Sequence, residues 1–453
     1  MPALPVPGTP MLTLDELRHD VESGAVDTVV VAFTDMQGRL FGKRLHGEFF
    51  LEDSVDHGVE GCNYLLALDM EMDPTPGYEI ASWERGYGDF RIAPDLGTLR
   101  RIPWLEATAL VLGDVLWLDG SPVGPSPRQV LRAQIERAEA LGYTPMFGSE
   151  LEFFILKETY AEAHAKHYRD LTPSVPYILD YHLLASTYDE ALIRQLRNGM
   201  HGAGMRVESS KGEAWPGQHE VNFRFADALT MADNHAVYKN GAKEIAYLNG
   251  CSITFMAKPD DTWIGNSCHI HSSLWQDDKN AFDGESDVFK HYLAGQIAAL
   301  KDLAIFVAPN INSYKRFAAG SWAPTTLAWG HDNRTCGFRI VGHGQSLRTE
   351  TRIPGGDVNP YLAFAALIAA GIHGIENELE LPPPLEGNAY ESDAERFPSS
   401  LREGIAALEA SSVARALLGD EVVDHYLNYA RTEQRLFDQA VTCYERERLY
   451  ERG

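Results

Sequence analysis

The sequence holds only five cysteines, an odd number with no Cys-x-x-Cys pair among them. Such scattered thiols exclude a disulfide framework and a cysteine zinc site, and they are typical of reduced thiols in a cytosol. The first residues lack a basic region followed by a continuous apolar stretch, so we expect no signal peptide. The longest apolar run, near residues 361–370, is too short to span a bilayer. We therefore expect a cytoplasmic protein with no membrane partner.

Basic residues are also scarce, because 39 Lys and Arg stand against 65 Asp and Glu and give a net charge of −26. This balance excludes nucleic acid as a partner, since its phosphates demand a basic surface. The sequence contains no G-x-x-x-x-G-K-[ST] loop and no G-x-G-x-x-G after a strand, so neither common nucleotide motif is present. An acidic excess suits cations, either metal ions or positively charged amines.

The length of 453 residues, with 44% hydrophobic residues, allows a large core and predicts two domains. Residues 11–115 contain several β-branched stretches and little helical pattern, which predicts a small mixed domain. A stretch rich in glycine and proline at 119–127 predicts a linker whose end starts a helix. We expect a long loop over the site at 156–185 and a loose tail at the proline-rich residues 1–10.

The most informative stretch is Glu150-Leu151-Glu152, which lies inside an apolar run. In a β-strand, residues i and i+2 point to the same face, so the two carboxylates would project side by side. Two like charges on a buried face are costly unless something positive compensates them. A divalent cation, which prefers carboxylate oxygen, is such a compensation. The alternative is an exposed strand face that carries two solvated glutamates.

Further acidic and imidazole side chains could complete a metal site. Glu208, Glu213 and Glu220 follow in sequence, and a Pro-Gly turn lets the last two face each other across a hairpin. His269 and His271 stand at strand spacing and therefore on one face. These histidines are either satisfied structural residues or metal ligands.

Five arginines follow in an otherwise acidic protein: Arg316, Arg334, Arg339, Arg348 and Arg352. Alternation in residues 346–352 places Arg348, Glu350 and Arg352 together on one strand face. These three side chains either form cross-strand ion pairs or bind phosphate or carboxylate anions. Carboxylates, imidazoles and arginines together match metal-assisted phosphoryl chemistry, which predicts a metal- and nucleotide-dependent transferase or ligase.

These motifs resemble those of the glutamine synthetase superfamily over nearly the whole chain, from about Leu12 to Tyr450. The matching motifs are Gly148-Ser-Glu-Leu-Glu-Phe-Phe, Gly217-Gln-His-Glu-Val, Lys258-Pro259 with the His-x-His run, Asn312-Ser-Tyr-Lys-Arg, Asn333-Arg334, and Glu350-Thr-Arg352 followed by Asn359-Pro-Tyr. The resemblance implies an α+β fold, with an N-terminal β-grasp domain at 11–115 and a C-terminal catalytic domain at 116–453. The catalytic domain would have a curved antiparallel sheet with flanking helices. The implied assembly is a dodecamer of two hexameric rings, with each site between neighbouring subunits.

The resemblance also implies roles for the site residues by position. One metal site would consist of Glu152, Glu213 and Glu220, and the other of Glu150, His269 and Glu350. The cations would be Mg²⁺ or Mn²⁺, two or more per site. The positions that match ATP contacts are Glu208, His271, Ser273, Arg339 and Arg348. Those that match the glutamate site are Gly265, Arg316 and Arg352, and Arg334 matches the arginine that stabilises phosphoryl transfer.

The implied reaction is ATP-dependent. The γ-carboxylate of glutamate attacks ATP to give γ-glutamyl phosphate, and a nitrogen nucleophile then displaces phosphate to leave an amide. Activation is needed because a carboxylate is unreactive toward amines and its oxygen is a poor leaving group.

The sequence departs from glutamine synthetases at the ammonium site, which is acidic in those enzymes. It keeps Asp89, but it has Glu60-Gly-Cys-Asn63 in place of Asp-Gly-Ser-Ser, and Trp322 in place of the flap glutamate. An indole cannot attract ammonium, but it packs against an alkyl group. We therefore predict a γ-glutamyl-amine ligase for a small primary amine such as ethanolamine, with Arg334, Asp89, Glu60 and Trp322 as its catalytic residues. The alternatives are an ordinary glutamine synthetase, a γ-glutamylpolyamine synthetase, or an inactive structural or regulatory member.

Overall fold

The computed structural model describes residues 11–453, so the tail predicted at residues 1–10 lies outside the described residues. Two sheets form the frame of this part of the chain, and the first has six strands in the order β2-β1-β6-β4-β3, with β5 paired to β6. Its strands are β1 (Thr28–Thr34), β2 (Leu40–His46), β3 (Val59–Cys62), β4 (Asp89–Pro94), β5 (Arg100–Arg101) and β6 (Thr108–Trp117). β1 and β6 run parallel and the other pairs run antiparallel, so the sheet is mixed.

The second sheet has ten strands in the order β14-β15-β16-β12-β7-β9-β8, with β10 and β11 paired to β7 and β13 paired to β12. These strands are β7 (Thr144–Leu156), β8 (Val207–Gly212), β9 (Gln218–Phe223), β10 (Ala226–Asp227), β11 (Ser252–Thr254), β12 (Cys268–Gln276), β13 (Lys279–Asn280), β14 (Trp329–His331), β15 (Phe338–Val341) and β16 (Arg348–Thr351). The pairs are antiparallel except for β14 and β15, which are parallel.

Helices flank both sheets. They are α1 (Leu14–Glu22), α2 (Gly47–Phe49), α3 (Val55–His57), α4 (Pro127–Ala140), α5 (Tyr160–Ala165), α6 (Leu183–Ser186), α7 (Glu190–Gly202), α8 (Ala228–Leu248), α9 (Asp287–Ala299), α10 (Ala304–Val307), α11 (Pro360–Glu376), α12 (Leu401–Ala410), α13 (Ser412–Leu418), α14 (Asp420–Gln439) and α15 (Cys443–Leu449). The predicted α+β class is confirmed. Among residues 11–453, no helix has the length and apolar character needed to cross a membrane.

The predicted domain boundary between residues 115 and 116 falls near the end of β6. Arg128, at the start of α4, links the first sheet to the helices behind the second. Its guanidinium donates to Asp95 and to Asp114, each at 2.7 Å, and to Asp233 on α8 at 2.9 Å. Because Asp233 is itself buried, losing Arg128 would leave its carboxylate without this ion-pair partner. The two-domain division itself stays a prediction.

The segment predicted as a long loop, residues 156–185, differs from that prediction because it contains α5 and all but the last residue of α6. A capping box starts α5: the Thr159 hydroxyl accepts from the backbone N–H of Glu162, and the Glu162 carboxylate accepts from that of Thr159. The remaining residues of the segment run along the edge of the second sheet, where the N–H of Asp180 donates to the carbonyl of Glu213 at 2.9 Å.

α11 forms the centre of the core behind the second sheet. This helix is apolar around its whole circumference, as expected for a helix buried on all sides, and it packs against α4, α8 and α9. The side chain of Asn359 caps its start by accepting from the N–H of Tyr361 at 3.1 Å. The ring of Phe364 lies 4.7 Å from that of Phe147 on β7, so this packing fixes the strand that carries the site.

Candidate active site

β7 is the strand around which the site is built, because it carries both Glu150 and Glu152. It pairs with β12 on one side, where His269 lies opposite Glu150. It pairs with β9 on the other side, where Glu220 lies opposite Glu152. Two glutamates from one strand therefore take part in two different clusters.

Glu152, Glu213 and Glu220 form the first cluster, which we call the acidic triad. Each is buried, and one carboxylate oxygen from each lies within 4.8 Å of the others. The backbone N–H of Ser267 donates to Glu152 at 2.6 Å and the Gln218 amide donates to it at 3.3 Å, which fixes this carboxylate. The triad is a group of hard oxygen donors that could hold a divalent cation.

Burial and neighbouring carboxylates raise the pKa values of two members of the acidic triad, Glu213 and Glu220. Burial and the charge of Glu152 raise the pKa of Glu213 to about 8. Burial and the charges of Glu213, Glu150 and Glu152 raise the pKa of Glu220 well above its usual range. A cation bound among these carboxylates would offset the burial and the like charges that raise these two pKa values.

Lys211 belongs to this cluster, although sequence reasoning missed it. Its ammonium group lies 2.5 Å from Oε1 of Glu213. Burial opposes its protonation, but Glu213 and Glu220 raise the pKa of Lys211. The signal was present in the sequence, since Lys211 and Glu213 stand two residues apart.

Glu150, His269 and Glu350 form the second cluster, which we call the histidine cluster. Ligand atoms of the three lie within 4.8 Å of one another, with Nδ1 of His269 3.3 Å from Glu150 and 3.8 Å from Glu350. Burial and then the charge of Arg352 lower the pKa of His269, which favours the neutral imidazole that binds metals. Burial opposes ionisation of Glu350, but the nearby histidines and arginines lower its pKa to about 2.

Two of the predicted arginines, Arg339 and Arg352, form ion pairs with Glu350, whereas Arg348 and Arg334 do not. Arg339 donates to Glu350 at 2.8 Å and also binds Asp332, and Arg352 forms an ion pair with Glu350. Arg348 instead donates to Nδ1 of His271 at 3.1 Å. Arg334 is exposed in the turn between β14 and β15. On β16, Glu350 and Arg352 thus form an ion pair with each other, whereas Arg348 is directed toward His271.

A pocket of about 320 Å³ opens beside the histidine cluster. Four of the five predicted ATP residues line it, namely Glu208, His271, Ser273 and Arg348, together with Glu150. The fifth, Arg339, lies outside its lining. Phe225 and Trp275 also line this pocket, and their ring centroids are 5.9 Å apart. The pocket therefore combines an aromatic wall with acidic and basic side chains.

Two of the predicted glutamate residues, Gly265 and Arg316, pack against each other, whereas the third, Arg352, pairs with Glu350 of the histidine cluster. Arg316 is buried and donates to the carbonyl of Ile353 at 2.9 Å. Gly265 packs against it so closely that an added Cβ would lie 2.6 Å from Cγ of Arg316. The Gly265 carbonyl accepts from the Gln218 amide at 3.1 Å, which links this loop to the residue that holds Glu152.

Three predicted catalytic residues do not contact either cluster. Glu60 on β3 and Asp89 on β4 are exposed on the first sheet. Trp322 is 60% exposed in a loop and has a φ of +64°, a strained backbone conformation for a bulky residue. Within residues 11–453, no hydrogen bond or ion pair joins these three side chains to either cluster.

Comparisons with known proteins agree on one family. Residues 125–449 match the family described as glutamine synthetase, catalytic domain. The chain is 55% identical to the gamma-glutamylethanolamide synthetase of Streptomyces coelicolor, covering 99% of this chain and 98% of that protein. It is 38% identical to a glutamate–isopropylamine ligase from a Pseudomonas species, covering 91% and 92%. The solved structure of a GmaS/ADP complex matches with a TM-score of 0.83 and 29% identity, covering 96% of this chain and 99% of that one.

Proposed function

The chain belongs to the glutamine synthetase family, and from this membership we propose that it joins the γ-carboxylate of glutamate to a small primary amine, with ATP as phosphoryl donor. The observation that carries the proposal is the pair of metal-capable clusters on either side of β7, next to the pocket lined by Glu208, His271, Ser273 and Arg348. The names of the two similar ligases support an amine as the nucleophile.

The acidic triad and the histidine cluster each fit a divalent cation. Three carboxylates in one, and two carboxylates with an imidazole in the other, are donor sets that suit Mg²⁺ or Mn²⁺. When bound, such cations neutralise phosphate and carboxylate charge and orient the reacting groups. The chain's own contribution is to hold each carboxylate in place, as Ser267 and Gln218 do for Glu152.

The pocket beside the histidine cluster takes ATP in this proposal. Its aromatic wall suits a base, and Arg348 offers a guanidinium to phosphate. The similar GmaS structure contains ADP, which supports a nucleotide in this family's fold. Arg316, Arg352 and Gly265 bind glutamate, with the two guanidinium groups as carboxylate partners.

The reaction then proceeds in two displacements. An oxygen of the γ-carboxylate attacks the γ-phosphorus of ATP, ADP leaves, and γ-glutamyl phosphate forms. The amine nitrogen attacks the acyl carbon, the carbon–oxygen bond to phosphate breaks, and the amine gives up a proton. Arg334 and Arg339 stabilise the charge that develops on the transferred group.

Glu60 and Asp89 serve the amine from a neighbouring subunit in this proposal. Their exposure on the first sheet, without contact to the clusters of their own chain, supports a site shared between copies. The expected assembly is the dodecamer of two hexameric rings, and a cytoplasmic location also stays a prediction.

The test is phosphate release from ATP and glutamate with ethanolamine, isopropylamine, a polyamine or ammonia as nucleophile. We expect ethanolamine or a similar short amine to give the highest kcat/KM, and little phosphate release without amine. Release that is highest with ammonia would instead identify an ordinary glutamine synthetase, and release with none of them would indicate an inactive member.

Trp322→Glu is expected to weaken use of ethanolamine relative to ammonia. The change removes an apolar wall, which is worth roughly 1–3 kcal/mol to a small substrate, and it restores a carboxylate. Because Trp322 is largely exposed, its replacement should leave the fold intact. The measurement is the ratio of the two kcat/KM values in both proteins, with Tyr247→Glu as a control at an exposed aromatic residue on α8. An unchanged ratio would remove Trp322 from the amine site.

A further inference from the structure

Lys211 lies against the acidic triad, and the proposed mechanism gives it no role. Its Nζ lies 2.5 Å from Glu213, and its position on β8 is directly opposite Glu220 on β9. The buried Arg316 adds an electrostatic interaction with Glu152. Lys211 is the cation in direct contact with this group of three buried carboxylates.

Lys211 is held in this position rather than free in solvent. Its Nζ lies 4.4 Å from the ring centroid of Tyr181, a cation–π distance. The segment that carries Tyr181 is itself fixed, because the neighbouring Asp180 N–H donates to the carbonyl of Glu213. Leu179 also packs on Gly212, where an added Cβ would lie only 2.4 Å from Cβ of Leu179. Close packing on both sides thus keeps the ammonium group against Glu213.

A divalent cation in the triad needs an oxygen from each carboxylate, and Lys211 holds one oxygen of Glu213. We propose that Lys211 is the internal counter-ion of the metal-free triad, and that a divalent cation binds there by displacing its ammonium group from Glu213. Lys211 thereby stabilises the metal-free protein and lowers the affinity of this one metal site. The inference rests on the proposed metal site and adds a positioning residue that sets its affinity.

The test is a calorimetric titration of the purified, assembled enzyme with Mn²⁺. Neither nucleotide nor glutamate is present. Lys211→Met is expected to tighten one class of Mn²⁺ sites about 5-fold or more, the effect of losing one close like charge. The class formed by the histidine cluster should be unchanged and serves as an internal control. Lys211→Arg keeps the charge and should bind Mn²⁺ nearly as the unmodified protein does.

Lys166→Met is the matched control, because Lys166 forms a similar ion pair with Glu158, at 2.7 Å, outside the triad. Thermal unfolding in EDTA provides a second readout: Lys211→Met should lower the midpoint in EDTA, and saturating Mn²⁺ should remove the difference. Lys211→Gln gives the same comparison if the methionine variant assembles poorly.

Unchanged or weaker Mn²⁺ binding in Lys211→Met, or equal tightening in Lys166→Met, would overturn the proposal. Because no substrate is present, this outcome is distinct from a failure of the proposed function. Tighter Mn²⁺ binding together with absent ligation would support the role of Lys211 and refute the amine-ligase reaction.

Discussion

Glu220→Gln is expected to abolish amine ligation while leaving the metal-free protein folded. Glu220 is 3% exposed and lies directly opposite Glu152, and its raised pKa favours the protonated form when no cation is present. Glutamine has nearly the same shape as a protonated glutamate, so core packing should hardly change. What is lost is one of the three charges that hold a cation, and we expect kcat/KM to fall by about 100-fold or more.

Two measurements on this variant separate a lost metal site from a damaged fold. The unfolding midpoint in EDTA should stay close to that of the unmodified protein, whereas the rise in midpoint on adding Mn²⁺ should shrink. Glu433→Gln is the matched control, since Glu433 is a partly buried glutamate with a raised pKa away from both clusters. Near-normal activity of Glu220→Gln at low magnesium would contradict the assignment of the acidic triad.

Arg334→Ala is expected to lower kcat on the order of 10³-fold with little change in either KM. Arg334 is exposed and forms no ion pair with any residue of the described range 11–453, so its loss should not disturb the fold or Glu350. A guanidinium that acts on the transferred phosphoryl group interacts most strongly as charge develops, which makes its loss a kcat effect. Arg339 would be a poorer test because it also binds Glu350.

The measurement is steady-state kinetics with ATP and glutamate varied in turn at saturating ethanolamine. Arg402→Ala, at an exposed arginine that pairs with Asp438 on the surface, controls for the loss of one positive charge. A change confined to KM would mean that Arg334 binds the ground state and has no special role in transfer.

Strand periodicity accounts for the parts of the site that the sequence could predict. Glu150 with Glu152, and His269 with His271, were expected on shared faces from their i, i+2 spacing, and each pair does lie on one strand. The start of α11 likewise follows from Asn359 and Pro360, because capping depends on adjacent residues. These features are local, so neighbouring residues contain the information.

The rest of the site depends on which strands become neighbours. Glu150 and Glu152 enter different clusters because β12 and β9 flank β7, an order that their own residues do not encode. The bonds from Arg128 on α4 to Asp114 on β6 and to Asp233 on α8 likewise join one strand and two helices that are separate in the sequence. The helix α5 is different, since its Thr159–Glu162 capping box was visible in the sequence and was overlooked.

The most direct test of the account is an isotope-transfer measurement with glutamate labelled by ¹⁸O in its γ-carboxylate. The labelled substrate is incubated with ATP, Mg²⁺ and ethanolamine, and both products are analysed by mass. We predict γ-glutamylethanolamide and one ¹⁸O in each phosphate released, because the attacking carboxylate oxygen leaves with the phosphoryl group. Unlabelled phosphate, or phosphate released without the amide, would contradict ligation through γ-glutamyl phosphate.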